Sequence, residues 1–288
     1  MLFIFQADGT TRIAVAYNGL SINTLTTIET DPTGYPLDAV GFQTGYDYIS
    51  ENFQWMDGIE LYGMHAVSRI LDLRGRALAA TQAAYADAVK TLADAFDPSK
   101  IMFKNPTDPF LPLTFSVPTA DTATYPTGYA TSKYLALPIR MPEPPTAYDS
   151  TTGQPFRISM LLQQPKRFLQ TAQTQAGSAT VANSKADTTS WPVLTITMAG
   201  AGSATYTAQN TATTQGAKSI VLNLSGAVNT DVYVVDFFHR KITKNGVATP
   251  SVFVSGSYWM MEPGNNVILY SNTTNATSSL THYPAFSF

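Results

Sequence analysis

Three histidines, His65, His239 and His282, are the side chains best suited to hold a metal or move a proton near neutral pH. Each reads as lacking a nearby carboxylate or second histidine at ligand spacing, so a metal site would need them to converge in space. The absence of cysteine removes thiolate metal sites and disulfides altogether. Asp236 and Glu262 are the pair that could flank a glycosidic bond as acid and base. Against that, Asp236 follows four apolar residues and precedes Phe237-Phe238-His239-Arg240. It reads as a buried or turn-edge aspartate satisfied by backbone donors or by Arg240. Glu262 falls in a Glu-Pro-Gly turn, where exposure is expected. Trp259 could stack on a pyranose ring, but it lies within an apolar run, and core packing is the better reading. Gly200-Ala201-Gly202 is too short for a phosphate loop, with neither a lysine nor a helix start after it. Arg69, Arg74 and Arg76 cluster near Asp72. They could line a nucleic-acid channel, pair across a subunit boundary, or simply be solvated.

The elements that must carry these residues are mostly strands. Runs such as Val193–Met198, Ser219–Leu224, Val232–Phe238 and Tyr258–Tyr270 are β-branched and aromatic, broken by Gly, Pro and Asn. Asn245-Gly246 and Gly264-Asn265 carry the hairpin signal, since a tight turn needs positive φ. Earlier, Leu2–Phe5 and Arg12–Tyr17 are strand candidates. Ile59–Val67 alternates with period two, and Lys133–Arg140 and Phe156–Gln163 complete the set. Between them, Arg74–Phe96 reads as the one strong helix, its stripe formed by Leu78, Tyr85, Val89, Leu92 and Phe96 and its end set by Asp97-Pro98. A lone amphipathic helix among strands must lie on a sheet, which predicts an α+β first domain. Residues 142–155, with four prolines, are expected to form an exposed excursion.

Composition sets the outer limits. The 288 residues are 44% apolar and only 13% charged, with 15 Tyr, 15 Phe and 18 each of Gly and Pro. That is too apolar for disorder and too interrupted for a helical bundle. The net charge of −3 offers no grip on phosphate backbones. No run approaches the roughly 20 apolar residues of a membrane span, and Met1–Asp8 lacks the basic flank of a signal peptide. A polar tract at Gln170–Ser190 reads as a linker or long loop, placing domains at 1–170 and 171–288. The first part holds 12 basic and 16 acidic residues, the second 5 and 4. Ser, Thr and Asn fill 41 of the last 118 positions, as in a sandwich that solvates its outer face with hydroxyls and amides. The 33 aromatic residues exceed what two modest cores require. Tyr46, Tyr48, Phe53 and Trp55 are therefore candidates for a subunit interface.

The order of these elements resembles a known family. It runs from Ile59–Ser68, through the helix closed by Phe96-Asp97-Pro98, to Phe156–Phe168 and a polar tract. Trp191-Pro192, Val235–Arg240, Lys244-Asn245-Gly246 and Trp259–Asn266 follow. The chain is similar over nearly its whole length to the distal tail proteins of long, non-contractile-tailed bacteriophages. The resemblance implies a mainly β protein. Its first domain would be an α+β sandwich with one packed helix, forming a hexameric ring at the tail tip. The second would be a galectin-like or jelly-roll-like antiparallel sandwich facing outward. It further implies contacts with the tail tube protein and a tail-tip hub or tail-associated protein, and with a receptor-binding protein or host surface glycan. DNA would pass through the lumen without specific binding. Such a subunit has no catalytic residue, cofactor, metal or membrane insertion. It would be made in the bacterial cytoplasm and reside in the virion. The alternatives are a carbohydrate-binding adhesin or receptor-binding tail component using Trp259, and, more remotely, a glycan hydrolase.

Overall fold

Strands dominate the chain, and the computed structural model describes them over residues 6, 12–24, 34–51, 60–118, 129–140, 154–164, 166–183, 186–214 and 216–286. The expected strand Leu2–Phe5, together with Ile59, Phe53 and Trp55, lies outside these residues. Contacts divide the chain into two units, Met1–Arg167 with Phe288, and Phe168–Ser287.

In the first unit, β1 (Val15–Tyr17) and β2 (Leu20–Ile22) form a hairpin through Asn18-Gly19. Next come β3 (Leu37–Glu51), β4 (Glu60–Ala77), α1 (Gln82–Ala95), α2 (Pro98–Lys104), β5 (Leu111–Pro118), β6 (Tyr129–Arg140) and β7 (Gln154–Leu162). The strands run β2-β1-β5-β6-β7-β4-β3, every neighbouring pair antiparallel. This is one continuous sheet, and it curls. Phe42 on β3 and Tyr134 on β6 lie three strand steps apart, about 14 Å in a flat sheet. Their rings are 6.0 Å apart. The two ends of the sheet meet where Asn23 N–H donates to Tyr35 O at 2.7 Å and Tyr35 N–H to Thr24 O at 3.1 Å. Asn23 seals that seam. Its amide donates to Ile13 O, and its oxygen accepts from Leu37 N–H and Arg12 Nη1.

The expected helix from Arg74 to Phe96 is corrected at its start. Arg74–Ala77 continue β4, paired in register with Arg157–Gln154 of β7. The helix begins after Thr81, whose hydroxyl accepts the Ala84 N–H. A strand is enforced here by close approach: a Cβ on Gly75 would stand 2.3 Å from Pro36 O. Tyr85, Leu92 and Phe96 of the expected stripe are buried, and the Phe96 ring stacks on Tyr17 at 4.9 Å. Pro98 both ends α1 and opens α2, because the Asp97 carboxylate caps Ser99 and Lys100 N–H. The described residues of the first unit therefore carry two helices.

β3 and β4 outrun their sheet. β4 meets β7 only through Arg69–Ala77, so residues 45–51 and 60–68 pair only with each other among the described residues. At roughly 3.3 Å per residue, this two-stranded ribbon extends about 30 Å past its neighbour.

The second unit contains β8 (Arg167–Leu169), β9 (Gln173–Ala176), β10 (Ala179–Asn183), β11 (Val193–Met198), β12 (Tyr206–Asn210) and β13 (Lys218–Leu222). β14 (Val232–Asp236), β15 (Lys241–Lys244), β16 (Val247–Ala248), β17 (Phe253–Gly256), β18 (Gly264–Ser271), β19 (Ala276–His282) and β20 (Ala285–Phe286) follow. Two antiparallel sheets result, β10-β18-β12-β13-β17 and β16-β15-β14-β11-β19-β9. Alternate residues close the core between them, among them Leu194, Ile196, Tyr206, Ile220, Leu222, Tyr233, Val235 and Leu280. Each fully buried Leu or Ile side chain contributes about 1.5–3 kcal/mol. One polar bond, Tyr206 Oη to Ser278 Oγ at 2.7 Å, crosses the core.

Two expectations are overturned here. The tract Gln170–Ser190 is not a loop, since it holds β9 and β10 at the edges of the two sheets. An edge strand needs backbone partners but little apolar surface, so its composition resembled a linker. Asn245-Gly246 does form the expected tight hairpin between β15 and β16, with φ of 49° and 82°. Gly264-Asn265 does not turn a hairpin; Gly264 opens β18, which pairs with β10.

Candidate functional site

The three histidines do not assemble. His65 lies on β4 opposite Asp47, a pairing known from the backbone alone. His239 does have a carboxylate partner, against expectation. Its Nδ1 lies 2.7 Å from Asp236 Oδ2, and its N–H donates to Asp236 Oδ1 at 3.0 Å. The i,i+3 spacing across the turn after β14 was the available signal. His282 ends β19 and is buried. Among the described residues no group of three His, Asp or Glu could hold a metal ion.

Asp236 is thus satisfied by His239 rather than Arg240. Glu262 is held separately: its carboxylate accepts the Thr214 N–H at 2.9 and 3.1 Å and the Thr214 hydroxyl at 3.1 Å. The cavity that Glu262 lines does not include Asp236. Trp259 is 3% exposed and packs on Phe237 with ring centroids 4.6 Å apart, which leaves no face for a sugar to stack on. Gly202 is a packing glycine, with Met198 and Leu224 within 3.0 Å of where its Cβ would stand.

The arginine cluster is real but split by the strand period. Arg69 is half-buried, its guanidinium 4.9 Å from the Phe42 ring centroid on β3. Asp72, Arg74 and Arg76 share the opposite face. Arg76 Nε meets Asp38 at 3.0 Å, both exposed. Asp72 is buried. It accepts from Arg157 Nη2 at 2.7 Å and from Ser159 Oγ at 2.5 Å. Burial alone would raise its pKa, but those two bonds and the Arg157 and Arg74 charges outweigh burial and hold it below the usual carboxylate value. Arg74 and Arg157 are direct cross-strand partners, an arrangement Asp72 makes tolerable. They line a 560 Å³ cavity with Asp38, Arg140 and Phe156. The sequence reading missed Arg157 and Ser159 because a helix starting at Arg74 leaves no cross-strand neighbour. Of the expected interface residues, Tyr46 and Tyr48 stand on the β3 ribbon opposite Ala66 and Met64.

A second cavity, 490 Å³, lies in the second unit between the turn after β12 and the segment before β18. Beneath it, three buried asparagines pin the backbone. Asn266 accepts the Glu262 N–H and donates back to Glu262 O, Asn183 donates to the same carbonyl, and Asn210 donates to Asn266. No composition signal marked these asparagines beyond their abundance. No helix among the described residues is long and apolar enough to cross a membrane.

No curated protein matches the chain by sequence. Residues 185–286 match the family described as siphovirus-type tail component, C-terminal domain. Among solved structures, the chain is similar to the SPP1 Dit protein, described as a paradigm of the hub adsorption apparatus in phages infecting Gram-positive bacteria. Identity is 14% and the TM-score 0.62, over 95% of this chain and 99% of that one. Its resemblance to chains of the phage P2 baseplate in its activated conformation is weaker. With Ca the TM-score is 0.42 at 9% identity, and with Sr 0.40 at 7%, each over 93% of this chain and 97% of that one. Residues 185–286 thus match the siphovirus-type tail component family in sequence, and the chain as a whole shares the fold of the SPP1 Dit protein.

Proposed function

We propose that six copies close into a ring at the tail tip, with the first unit building the annulus and the second facing outward. The ring joins the tail tube protein to the tail-tip hub and to the proteins that adsorb to the host. DNA leaves through the lumen without specific contacts. The subunit performs no turnover, is made in the bacterial cytoplasm, and resides in the virion. The supporting observation is the 30 Å ribbon of β3 and β4. A two-stranded ribbon alone is marginally stable in water, so it calls for a further surface to lie against, and a neighbouring copy supplies one. Obligate interfaces of this kind bury upwards of about 2,000 Å².

Light scattering and negative-stain microscopy of the purified protein, alone and mixed with its tail neighbours, test this. Six-fold annuli are expected at micromolar concentration. A mass that stays at one subunit in every mixture, with no annulus in the images, refutes the proposal.

A further inference from the structure

The 490 Å³ cavity of the second unit has a lining that a structural subunit does not require. Its volume falls within the roughly 300–1,000 Å³ range of small-ligand pockets. Its walls mix one carboxylate, one ammonium, several hydroxyls and a half-buried aromatic ring: Glu262, Lys218, Thr213, Thr214, Ser257 and Tyr258. The polar groups are fixed in place. Thr214 clamps the Glu262 carboxylate with its N–H and its hydroxyl, and Thr213 donates its hydroxyl to Gly216 O. Asn266 and Asn183 hold the Glu262 backbone from below. The ring of Tyr258 stacks parallel to Phe253 at 6.1 Å and meets the edge of Phe237 at 5.7 Å, so its plane is set. Trp259, which also lines the cavity, carries a buried indole N–H with no acceptor among the described residues.

We infer that this pocket binds a neutral pyranose. Vicinal sugar hydroxyls donate to the free lone pairs of Glu262 and accept from Lys218, charge-assisted bonds stronger than neutral ones. Tyr258 and the stem of Lys218 supply apolar surface for the C–H face of the ring. One acid facing one base leaves the lining without net charge. A phosphate or a uronic acid gains Lys218 but meets Glu262 as a like charge, so it has no net advantage over a neutral sugar that bonds to both, and a lipid would strand the hydroxyls unbonded. The inference is independent of ring assembly, because every residue it uses lies in the second unit.

Saturation-transfer NMR on the full chain tests it with glucose, galactose, N-acetylglucosamine and glucuronate as probes. Transfer to at least one neutral sugar is expected, and weaker or no transfer to glucuronate. Glu262→Gln, which keeps the shape and removes the charge, is expected to weaken binding by about tenfold or more. Lys218→Met has a like effect and carries the test alone if the first variant melts early. Absence of transfer to all three neutral sugars, transfer undiminished in both variants, or glucuronate bound as well as the neutral sugars overturns the inference. Oligomeric mass is read in parallel, so failure of the pocket and failure of the ring are separate results.

Discussion

His282 closes β19 with 1% of its surface exposed, and neither ring nitrogen has a hydrogen-bond partner among the described residues. Burial lowers its pKa from 6.5 to about 4, because the charged imidazolium is poorly solvated there. Between those values the unfolded chain binds the proton and the folded one does not. The contribution of His282 is therefore complete above about pH 6.5 and is lost as pH falls towards 4. Urea unfolding of the second unit should lose about 2 kcal/mol between pH 7 and pH 5, and His282→Leu should flatten that slope. Asp72 titrates by the opposite logic, a carboxylate held low by its partners, so its contribution disappears only in stronger acid. The sequence distinguished residues of this kind unevenly. Trp259 could be read as core from its apolar neighbours, whereas the burial of His282 depends on the sheet that covers it.

Two Asn/Gly pairs with the same composition behave differently as elements. Asn245-Gly246 turns β15 into β16, and its amide also ties the turn to the adjoining strand. Asn245 Oδ1 accepts Val232 N–H at 2.8 Å, and Nδ2 donates to Asp231 Oδ1 at 2.9 Å. Asp231 in turn meets Lys244 Nζ at 2.8 Å. Asn245→Ala should cost about 2 kcal/mol through the lost bonds and the left-handed backbone. Asn265→Ala, exposed within β18, should stay within about 0.5 kcal/mol; thermal melts of the two variants side by side measure the contrast. Residues 74–77 teach a related lesson. Arg, Gly and Ala there carry no strong strand preference, and pairing with β7 across 77 to 83 residues of sequence decides their conformation. Thr81, three residues before Ala84, was the legible mark of the true helix start. Polar edge strands such as β9 are the hardest to read, because nothing in their composition separates them from loops.

The whole chain divides where the hydrophobic cluster of the second unit divides it: every member of that cluster lies between Val181 and Leu280. A fragment spanning 168–288 should therefore fold alone. A single cooperative urea transition with strand-type circular dichroism is expected, and a non-cooperative, dye-binding fragment would show that the core is incomplete. The division near residue 170 could be seen as a change in charge and in hydroxyl content. The curl of the first sheet could not, since it rests on Asn23 meeting Tyr35 and Leu37, contacts with no periodic trace. The overhanging ribbon of β3 and β4 has one further consequence. Because side chains alternate strictly in a strand, two residues inserted in each arm push the tip outward by about 7 Å and leave every face as it was. One residue in a single arm turns the faces over. The ribbon is a ruler graduated in pairs, whose reach can change in steps of two residues per arm without redesigning the body that holds it.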